Sequence, residues 1–290
     1  MNKSKGHLKA STVVKINNLA QSVGWPIVAT ILGLLLGAVI IILSGYDPLK
    51  VYAVMVDKSL LSSYYLFTTL TRAVPVIICA MAACICWRAG YINLGIQGQM
   101  TFGAMAAVLV ALYCPGPKFL VMILAILAGG VVGALYAVIP TVLQWKGGLS
   151  MVVCTLMLNY VATDITTYMA SFPFKSSTAD VIVQQTDMID EALRFPRFIQ
   201  GQTVNISLFI ALAVVIGIVF FCNNTVLGYE SKMGGFNPHF ARYGGTKQVR
   251  TMFITMCMAG AVAGLAGICE CFGTKYCYTA GMFSSAGYAW

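Results

Sequence analysis

The sequence predicts an all-α, polytopic transmembrane helical bundle, and three observations support this fold class. Hydrophobic residues make up 59% of the 290 residues and charged residues only 9%, whereas roughly a quarter of an ordinary soluble domain is charged. Charge-poor stretches of membrane-spanning length recur along the whole chain instead of forming one anchor. Finally, the formal net charge of +9 is distributed unequally between the two predicted faces.

Charged residues divide the chain into stretches that can cross a bilayer. A spanning helix needs about 20 mostly apolar residues, because a charge at the bilayer centre costs several kcal/mol. We predict about seven to eight spans. Seven charge-poor stretches lie between Lys15 and Asp47, Arg72 and Arg88, Arg88 and Lys118, Lys118 and Lys146, Lys146 and Asp164, Arg197 and Glu230, and Arg250 and Glu270. The second is short, so we expect its helix to include residues 65–71 and to tolerate Arg72 near the membrane surface.

The basic residues predict the orientation. If the N-terminus is cytoplasmic, the loops on that side contain Glu230 as their one acid, and the whole net charge of +9 falls there. An excess of Lys and Arg in cytoplasmic loops is typical of membrane proteins, so the basic balance does not indicate nucleic-acid binding. We expect residues 1–24 to be a cytoplasmic segment. Residues 25–290 then form a single transmembrane domain, embedded in membrane lipid, with an external segment at 171–203 and a cytoplasmic loop at 223–250.

The sequence lacks the residue patterns that are typical of metal sites, redox sites and nucleotide-binding sites. The ten cysteines lie mostly in apolar stretches without a CxxC pair, so we interpret them as packing residues. His7 and His239 have no second ligand nearby, and no phosphate-binding loop motif occurs. We therefore expect no cofactor, no metal site, no ATP binding by this chain and no enzymatic site.

Glycines at four-residue spacing predict close helix packing, since small residues let helix backbones approach each other in lipid. The pairs are Gly33 and Gly37, Gly129 and Gly133, and Gly260 and Gly264, with Gly267 following.

The first unusually polar stretch is residues 88–100. Asn93, Gln97 and Gln99 alternate there with Gly90, Gly95 and Gly98, between two apolar stretches. Irregular backbone at membrane depth is tolerated where it is buried in protein or lines a wet cavity. The other interpretation is a tight cytoplasmic turn that caps the next helix. The residue types alone favour neither.

The second polar stretch is residues 150–160. Thr155 and Asn159 are four residues apart, so they share one face of an otherwise apolar helix, with Asp164 about one turn further. Such a face serves either interhelical hydrogen bonding, which is the commoner use, or a polar path through the membrane.

The third stretch is the basic loop at 228–245, which predicts a short isolated helix on the cytoplasmic face. Asn237 is a suitable N-cap, Pro238 fits the first helical position, and Gly244 is expected to provide a left-handed stop after Tyr243. Because so short a helix buries little within its own chain, we expect it to dock on another protein. The alternative is a solvated loop that happens to be capped.

In these three stretches the chain resembles the permeases of the branched-chain amino acid, simple-sugar and nucleoside ABC importers. The resemblance is greatest to the nucleoside branch, whose partner binding proteins are basic membrane lipoproteins. It covers roughly residues 25–290, although many members carry an acid at the position of Gln97. Members typically continue past Gly287 and Tyr288 through further helices, so we expect this chain to be C-terminally truncated. The matching residues are Gly90, Asn93, Gly95, Gly98 and Gln99, then Thr155 to Tyr160, then Gly228 to Glu230, Gly235 to Pro238 and Ala241 to Gly244.

The resemblance implies a multi-pass permease subunit in the bacterial cell membrane that moves nucleosides or a related sugar inward. Its implied partners are an ATP-binding cassette subunit that hydrolyses ATP, a second permease subunit in a heterodimer, and an extracytoplasmic substrate-binding lipoprotein. The candidates for lining the path are Asn93, Gln97, Gln99, Thr155 and Asn159. The candidates for the ATPase-coupling helix are Glu230, Asn237, Pro238, Ala241, Arg242, Tyr243 and Gly244, with Arg242 or Glu230 contacting the ATPase.

Two further hypotheses concern acidic and basic residues. The external segment is expected to dock the binding protein through some of Asp180, Asp187, Asp190, Glu191, Arg194 and Arg197. The alternative function is an ion-coupled secondary transporter or channel. It would need a membrane-embedded acid, and only Asp164 and Glu270 qualify, both near predicted span ends.

Overall fold

A computed structural model describes residues 4–58, 62–177, 183–198 and 202–283, with side chains from residue 24 onward. Asp180, Gly287 and Tyr288 lie outside the described residues. The described residues form helices and two isolated β-bridges, and there is no β-strand among them. The helices are α1 (Ser4–Leu43), α2 (Pro48–Val56), α3 (Ser63–Arg88), α4 (Ile96–Tyr113), α5 (Lys118–Gly147), α6 (Met151–Ser171), α7 (Ser207–Asn224), α8 (Val226–Phe236), α9 (Pro238–Tyr243) and α10 (Gln248–Glu270).

Within the described residues, six helices are long and apolar enough to cross a membrane. They are α1 from Gly24, α3, α4, α5, α7, and α10 with its extension to Lys275. Each occupies one of the predicted charge-poor stretches, and α3 begins at Ser63, which confirms that it includes residues 65–71. The all-α membrane fold is therefore confirmed. The number of spans and the cytoplasmic N-terminus stay predictions.

The remaining stretch, between Lys146 and Asp164, contains α6, whose boundary differs from the prediction. We expected the stretch to end near Asp164, but the 21-residue helix continues to Ser171. Asp164 is exposed and lies well inside the helix. The carboxylate does not end α6, because hydrogen bonds from the opposite face of the helix hold it against its neighbours.

The chain divides into two compact units, residues 1–66 and 67–290. In the first unit, Asp47 caps α2 by accepting a hydrogen bond from the Leu49 amide, and the Tyr52 hydroxyl donates to the Leu34 carbonyl of α1 at 2.6 Å. A Cβ on Gly37 would lie 2.8 Å from that hydroxyl, which agrees with the predicted packing role. Gly33 faces open space, so its predicted packing is not seen.

The core of the second unit is formed by α4, α5 and α10, which meet at glycines. A Cβ on Gly103 would lie 2.6 Å from the Gly264 Cα and 2.8 Å from the Gly129 carbonyl oxygen. A Cβ on Gly133 would overlap the carbonyl oxygen of Gly260. The predicted role of the glycines on α5 and α10 is thus confirmed, since their backbones approach too closely for any side chain.

Candidate functional site

The turn between α3 and α4 begins with a glycine-dependent helix stop. Gly90 has a φ of +82°, its amide bonds to the Trp87 carbonyl, and the Tyr91 amide bonds to the Cys86 carbonyl. This pair of bonds is the Schellman arrangement, in which the left-handed residue is usually glycine. The chain therefore leaves α3 abruptly and enters the polar stretch.

Asn93 and Gln99 form a buried pair that shapes the start of α4. The Asn93 carboxamide oxygen accepts a hydrogen bond from the Gly95 amide at 2.9 Å, and its nitrogen donates to the Gln99 side-chain oxygen at 3.3 Å. Asn93 and Gln99 are each only 1% exposed. Of the two interpretations, a turn that caps the next helix describes this geometry.

Helix α6 supplies the second half of the cap. The Asn159 side-chain oxygen accepts from the Gly98 amide at 2.8 Å, and its nitrogen donates to the Leu94 carbonyl at 2.7 Å. The Thr155 hydroxyl accepts from the Leu94 amide at 3.2 Å. Gly98 is the third residue of α4, whose own N-cap, Gly95, has no side chain. Asn159 thus satisfies an amide that an N-cap side chain would normally bind.

The glycines of the first motif allow this junction to form. A Cβ on Gly98 would lie 3.0 Å from the Asn159 carboxamide oxygen, and a Cβ on Gly95 would lie 3.1 Å from the Thr155 Cβ. Both distances are too short for ordinary contacts. The glycines and the polar residues of the two motifs are therefore parts of one structure, which we call the α4–α6 junction.

The junction brings together four of the five candidate path residues. Asn93, Gln99, Thr155 and Asn159 are buried, and their polar atoms are hydrogen-bonded within the chain. Gln97 is half-buried, and its side chain has no hydrogen bond among the described residues. That these residues line a path stays a prediction.

The third motif forms the predicted short helix, α9. Asn237 accepts from the Phe240 amide at 3.0 Å, and Pro238 is the first helical residue, which confirms the predicted start. The predicted stop was one residue too early. Gly244 has a φ of −75°, whereas Gly245 has a φ of +85°. The Thr246 amide reaches back to the Ala241 carbonyl, so the second glycine is the left-handed residue of a Schellman motif.

Helix α9 presents most of its surface to solvent. Tyr243 is 93% exposed, and Phe240 and Arg242 are also exposed. Ala241 is the one buried residue of this helix. The Gln248 side chain donates to the Pro238 carbonyl, which attaches α9 to the start of α10. Glu230, on α8, is half-buried.

A backbone contact that the sequence analysis missed joins the first and third motifs. A Cβ on Gly235, near the end of α8, would overlap the Arg88 carbonyl oxygen and lie 3.0 Å from the Gly90 amide nitrogen. The Arg88 guanidinium donates to the Cys222 carbonyl at 2.9 Å, at the end of α7. The turn after α3 is therefore fixed to the helix that leads into α9. The signal available in the sequence was the presence of Gly235 within the third motif.

The segment that was predicted to be external pairs with the chain that follows α10. The Thr186 amide donates to the Tyr278 carbonyl, the Ile189 amide donates to the Tyr276 carbonyl, and the Phe195 amide donates to the Phe272 carbonyl. The Tyr278 hydroxyl then bonds the Thr166 hydroxyl of α6 at 2.9 Å. Residues 183–198 are thus held against the end of the helical core.

The charged residues of this segment bind within the chain. The Arg194 guanidinium lies 4.8 Å from the centroid of the Tyr276 ring, and Arg197 donates to the Tyr276 hydroxyl at 2.9 Å. The Lys118 ammonium donates to Asp190, and this bond lowers the pKa of the Asp190 carboxyl below its ordinary value. Docking of a binding protein by these groups stays a prediction.

Long apolar helices around a buried polar junction define a multi-pass membrane protein. A family model described as "Branched-chain amino acid transport system / permease component" matches residues 65–289. The chain belongs to this family.

Similar proteins come from bacteria and an archaeon. The chain is 32% identical to the nucleoside ABC transporter permease protein NupB of Lactococcus lactis, over 89% of this chain and 73% of that protein. It is 31% identical to the guanosine ABC transporter permease protein NupP of Bacillus subtilis, over 91% of this chain and 76% of that protein. A glucose ABC transporter permease protein of Haloferax volcanii is 29% identical over 87% of this chain and 68% of its own length. No solved structure matches the chain.

Proposed function

We propose that the chain is the permease subunit of an ABC importer that carries nucleosides or a related sugar into a bacterial cell. The observation that supports this most is its similarity, over most of its length, to permeases named for nucleosides, guanosine and glucose. Nucleosides and glucose are uncharged and share a sugar ring with hydroxyl groups. A sugar-bearing, neutral solute is therefore the substrate class.

In this proposal α9 is the coupling helix. Its exposed Phe240 and Tyr243 provide apolar contact area, and Arg242 adds a positive charge beside them. Aromatic residues and Arg are enriched at protein interfaces. The ATP-binding cassette subunit docks here and hydrolyses ATP, so this chain itself is not an enzyme. Asn237 and Pro238 fix the start of the helix, and Glu230 lies on the preceding helix.

The contact between Gly90 and Gly235 supports a route for the coupling movement. Movement of α9 displaces α8, and α8 presses directly on the turn after α3 because no side chain separates the two backbones. That turn is bonded through Leu94 and Gly98 to α6. The α4–α6 junction therefore moves as a unit, and Gln97, with its unbonded carboxamide, is the member best placed to meet the solute.

The remaining partners are a second permease subunit, which completes the path in a heterodimer, and an extracytoplasmic substrate-binding lipoprotein. The external segment 171–203 is the proposed docking surface for the lipoprotein. Glu191, whose side chain is 88% exposed, and the exposed Met188 are available for this contact. Arg194 and Arg197 instead hold Tyr276.

Uptake in proteoliposomes tests the importer function. The complete transporter is reconstituted with its binding protein outside and ATP inside, and uptake of radiolabelled guanosine is followed with and without ionophores. We expect uptake to require internal ATP and to persist when ion gradients are dissipated. Uptake that follows an ion gradient without ATP would instead support the ion-coupled alternative, in which Asp164 and Glu270 are the candidate coupling groups.

A further inference from the structure

The exposed face of α6 carries a carboxylate between two tyrosines. Tyr160, Asp164 and Tyr168 follow one another at four-residue spacing, so they lie on one face of the helix. Tyr160 is 64% exposed and Tyr168 is 61% exposed, and Asp164 between them is exposed as well. We call these three residues the Tyr–Asp–Tyr face.

Helix α6 runs parallel to α4 through the same layer. Near one end of the pair, a hydrogen bond joins the Gly98 amide to the Asn159 side chain, so a residue of α4 lies beside the residue of α6 that is 61 positions later in the sequence. Near the other end, the Tyr113 and Phe174 rings pack with centroids 5.6 Å apart, at the same offset. The two helices therefore keep one register along the whole of α4, which is long and apolar enough to cross a membrane.

This register places Asp164 inside the membrane layer. The same offset puts Asp164 level with Gly103, the glycine at which α4 meets Gly129 and Gly264. With a rise of 1.5 Å per residue, this level is roughly 8 Å beyond Gly98. Asp164 therefore lies at the same level as the core contacts of three membrane-length helices, on the exposed face of α6.

A carboxylate at this level does not face lipid. The cost of exposing it to hydrocarbon is several kcal/mol, and Asp164 has no ion pair among the described residues. The helix cannot rotate to hide it, because Asn159 is bonded to α4 and the Leu158 carbonyl accepts from the Tyr136 hydroxyl of α5 at 2.7 Å. The Tyr–Asp–Tyr face must therefore meet water, solute or another protein.

The chemistry of this face matches a sugar-bearing solute. An ionised carboxylate only accepts hydrogen bonds, and its two oxygens can receive two neighbouring hydroxyl groups. Aromatic rings provide flat apolar surfaces for a nucleobase or a sugar ring. Above Tyr168, the ring of the exposed Phe172 lies 5.1 Å away and extends this aromatic surface by another turn.

We propose that the Tyr–Asp–Tyr face lines the translocation path, with Asp164 accepting hydrogen bonds from vicinal hydroxyls of the solute while Tyr160 and Tyr168 pack against its rings. The inference rests on the importer function proposed above. It assigns solute contact to the exposed face of α6, whereas the buried face of the same helix holds the junction with α4.

The test compares uptake of guanosine with uptake of 2′-deoxyguanosine, which lacks one of the two vicinal hydroxyls. The Asp164→Asn change is introduced into the chromosomal gene, so that all partner subunits are present. Asparagine keeps the shape of the side chain but replaces one acceptor oxygen with a donor. The matched control is Asp57→Asn, which changes an exposed acid in the other compact unit.

We expect Asp164→Asn to lower guanosine uptake about tenfold, the loss expected for one hydrogen bond to a charged group. Uptake of the deoxynucleoside should fall much less, so the ratio of the two rates drops. Tyr168→Ala should lower both rates, and Asp57→Asn should change neither.

Two outcomes would overturn the inference while leaving the importer function intact. Unchanged uptake of both nucleosides by Asp164→Asn would show that the face does not touch the solute. An equal loss for both nucleosides would indicate that Asp164 pairs with a cation of the partner permease. If a strain lacking the gene takes up guanosine as fast as wild type, the proposed nucleoside function fails as well.

Discussion

Replacement of Asn159 by leucine tests the α4–α6 junction. Leucine has the same number and branching of side-chain heavy atoms as asparagine, so the change removes hydrogen bonds without opening a cavity. The Gly98 amide loses its acceptor at 2.8 Å, and the Leu94 carbonyl loses its donor at 2.7 Å. Both groups would then face an apolar side chain, the Gly98 amide in a buried position and the Leu94 carbonyl in a half-buried one.

The expected loss of stability follows from these two groups. A buried polar group left without a partner costs about 1–3 kcal/mol, whereas interhelical hydrogen bonds measured in a membrane average about 0.6 kcal/mol. Because Asn159 satisfies two backbone groups at a helix start, we expect Asn159→Leu to lower the free energy of unfolding by about 2–4 kcal/mol. The unfolding midpoint should fall by roughly 5–10 °C.

Thermal unfolding of the purified subunit in lipid nanodiscs, followed by tryptophan fluorescence, measures this difference. The control is Thr163→Ala, one turn further along α6, whose half-buried hydroxyl bonds only to the Asn159 carbonyl of its own helix. It should shift stability by less than about 0.5 kcal/mol. If Asn159→Leu unfolds at the same temperature as wild type, the junction does not hold the two helices together.

Three further substitutions test other contacts. Gly235→Ala should abolish ATP-dependent uptake, because its Cβ overlaps the turn after α3, whereas Gly234→Ala, with open space around it, should leave uptake unchanged. Gly133→Ala should lower the unfolding midpoint by several degrees because α5 and α10 are forced apart, and Gly130→Ala should not. Tyr276→Phe removes the hydroxyl that accepts a hydrogen bond from Arg197. It should lower the free energy of unfolding, measured with a chemical denaturant, by no more than about 1 kcal/mol.

Charge spacing and capping rules predicted the helices well. Charged residues mark where chain leaves the bilayer, so α3, α5 and α7 fall in the predicted stretches. A helix cap is formed by residues that are neighbours in the sequence, so Asn237 and Pro238 predicted the start of α9 from sequence alone. The end of α9 was misplaced because two consecutive glycines can both adopt the left-handed conformation.

Tertiary contacts explain what the sequence analysis missed. The cap of α4 comes from Asn159, 61 residues from the amide that it binds, and no local pattern indicates that pairing. The contact of Gly235 with the Arg88 carbonyl is likewise between distant backbones. Asp164 was taken as the end of a span because lipid excludes charge. That rule does not apply to a helix face that lipid does not cover.

These contacts form one connected route through the second unit. It begins at α9, the proposed coupling helix, continues through α8 to the turn at Gly90, and passes by way of Leu94 and Gly98 to α6. In the proposed mechanism the buried face of α6 receives the movement, and its opposite face carries Asp164 toward the proposed path. Hydrogen bonds and direct backbone contacts connect each step, so movement of α9 can alter the path without unfolding any helix.

Co-purification with the ATPase subunit tests the central claim most directly. The chain is expressed with the ATPase subunits encoded in the same genome, and wild type is compared with an Arg242→Glu, Tyr243→Ala double variant that still inserts in the membrane. Tyr46→Ala serves as the control, because that tyrosine is also exposed but lies outside α9. We expect wild type and the control to retain the ATPase and the double variant to lose it. If no ATPase associates with wild type, or if the double variant retains it fully, α9 is not the coupling helix of an importer.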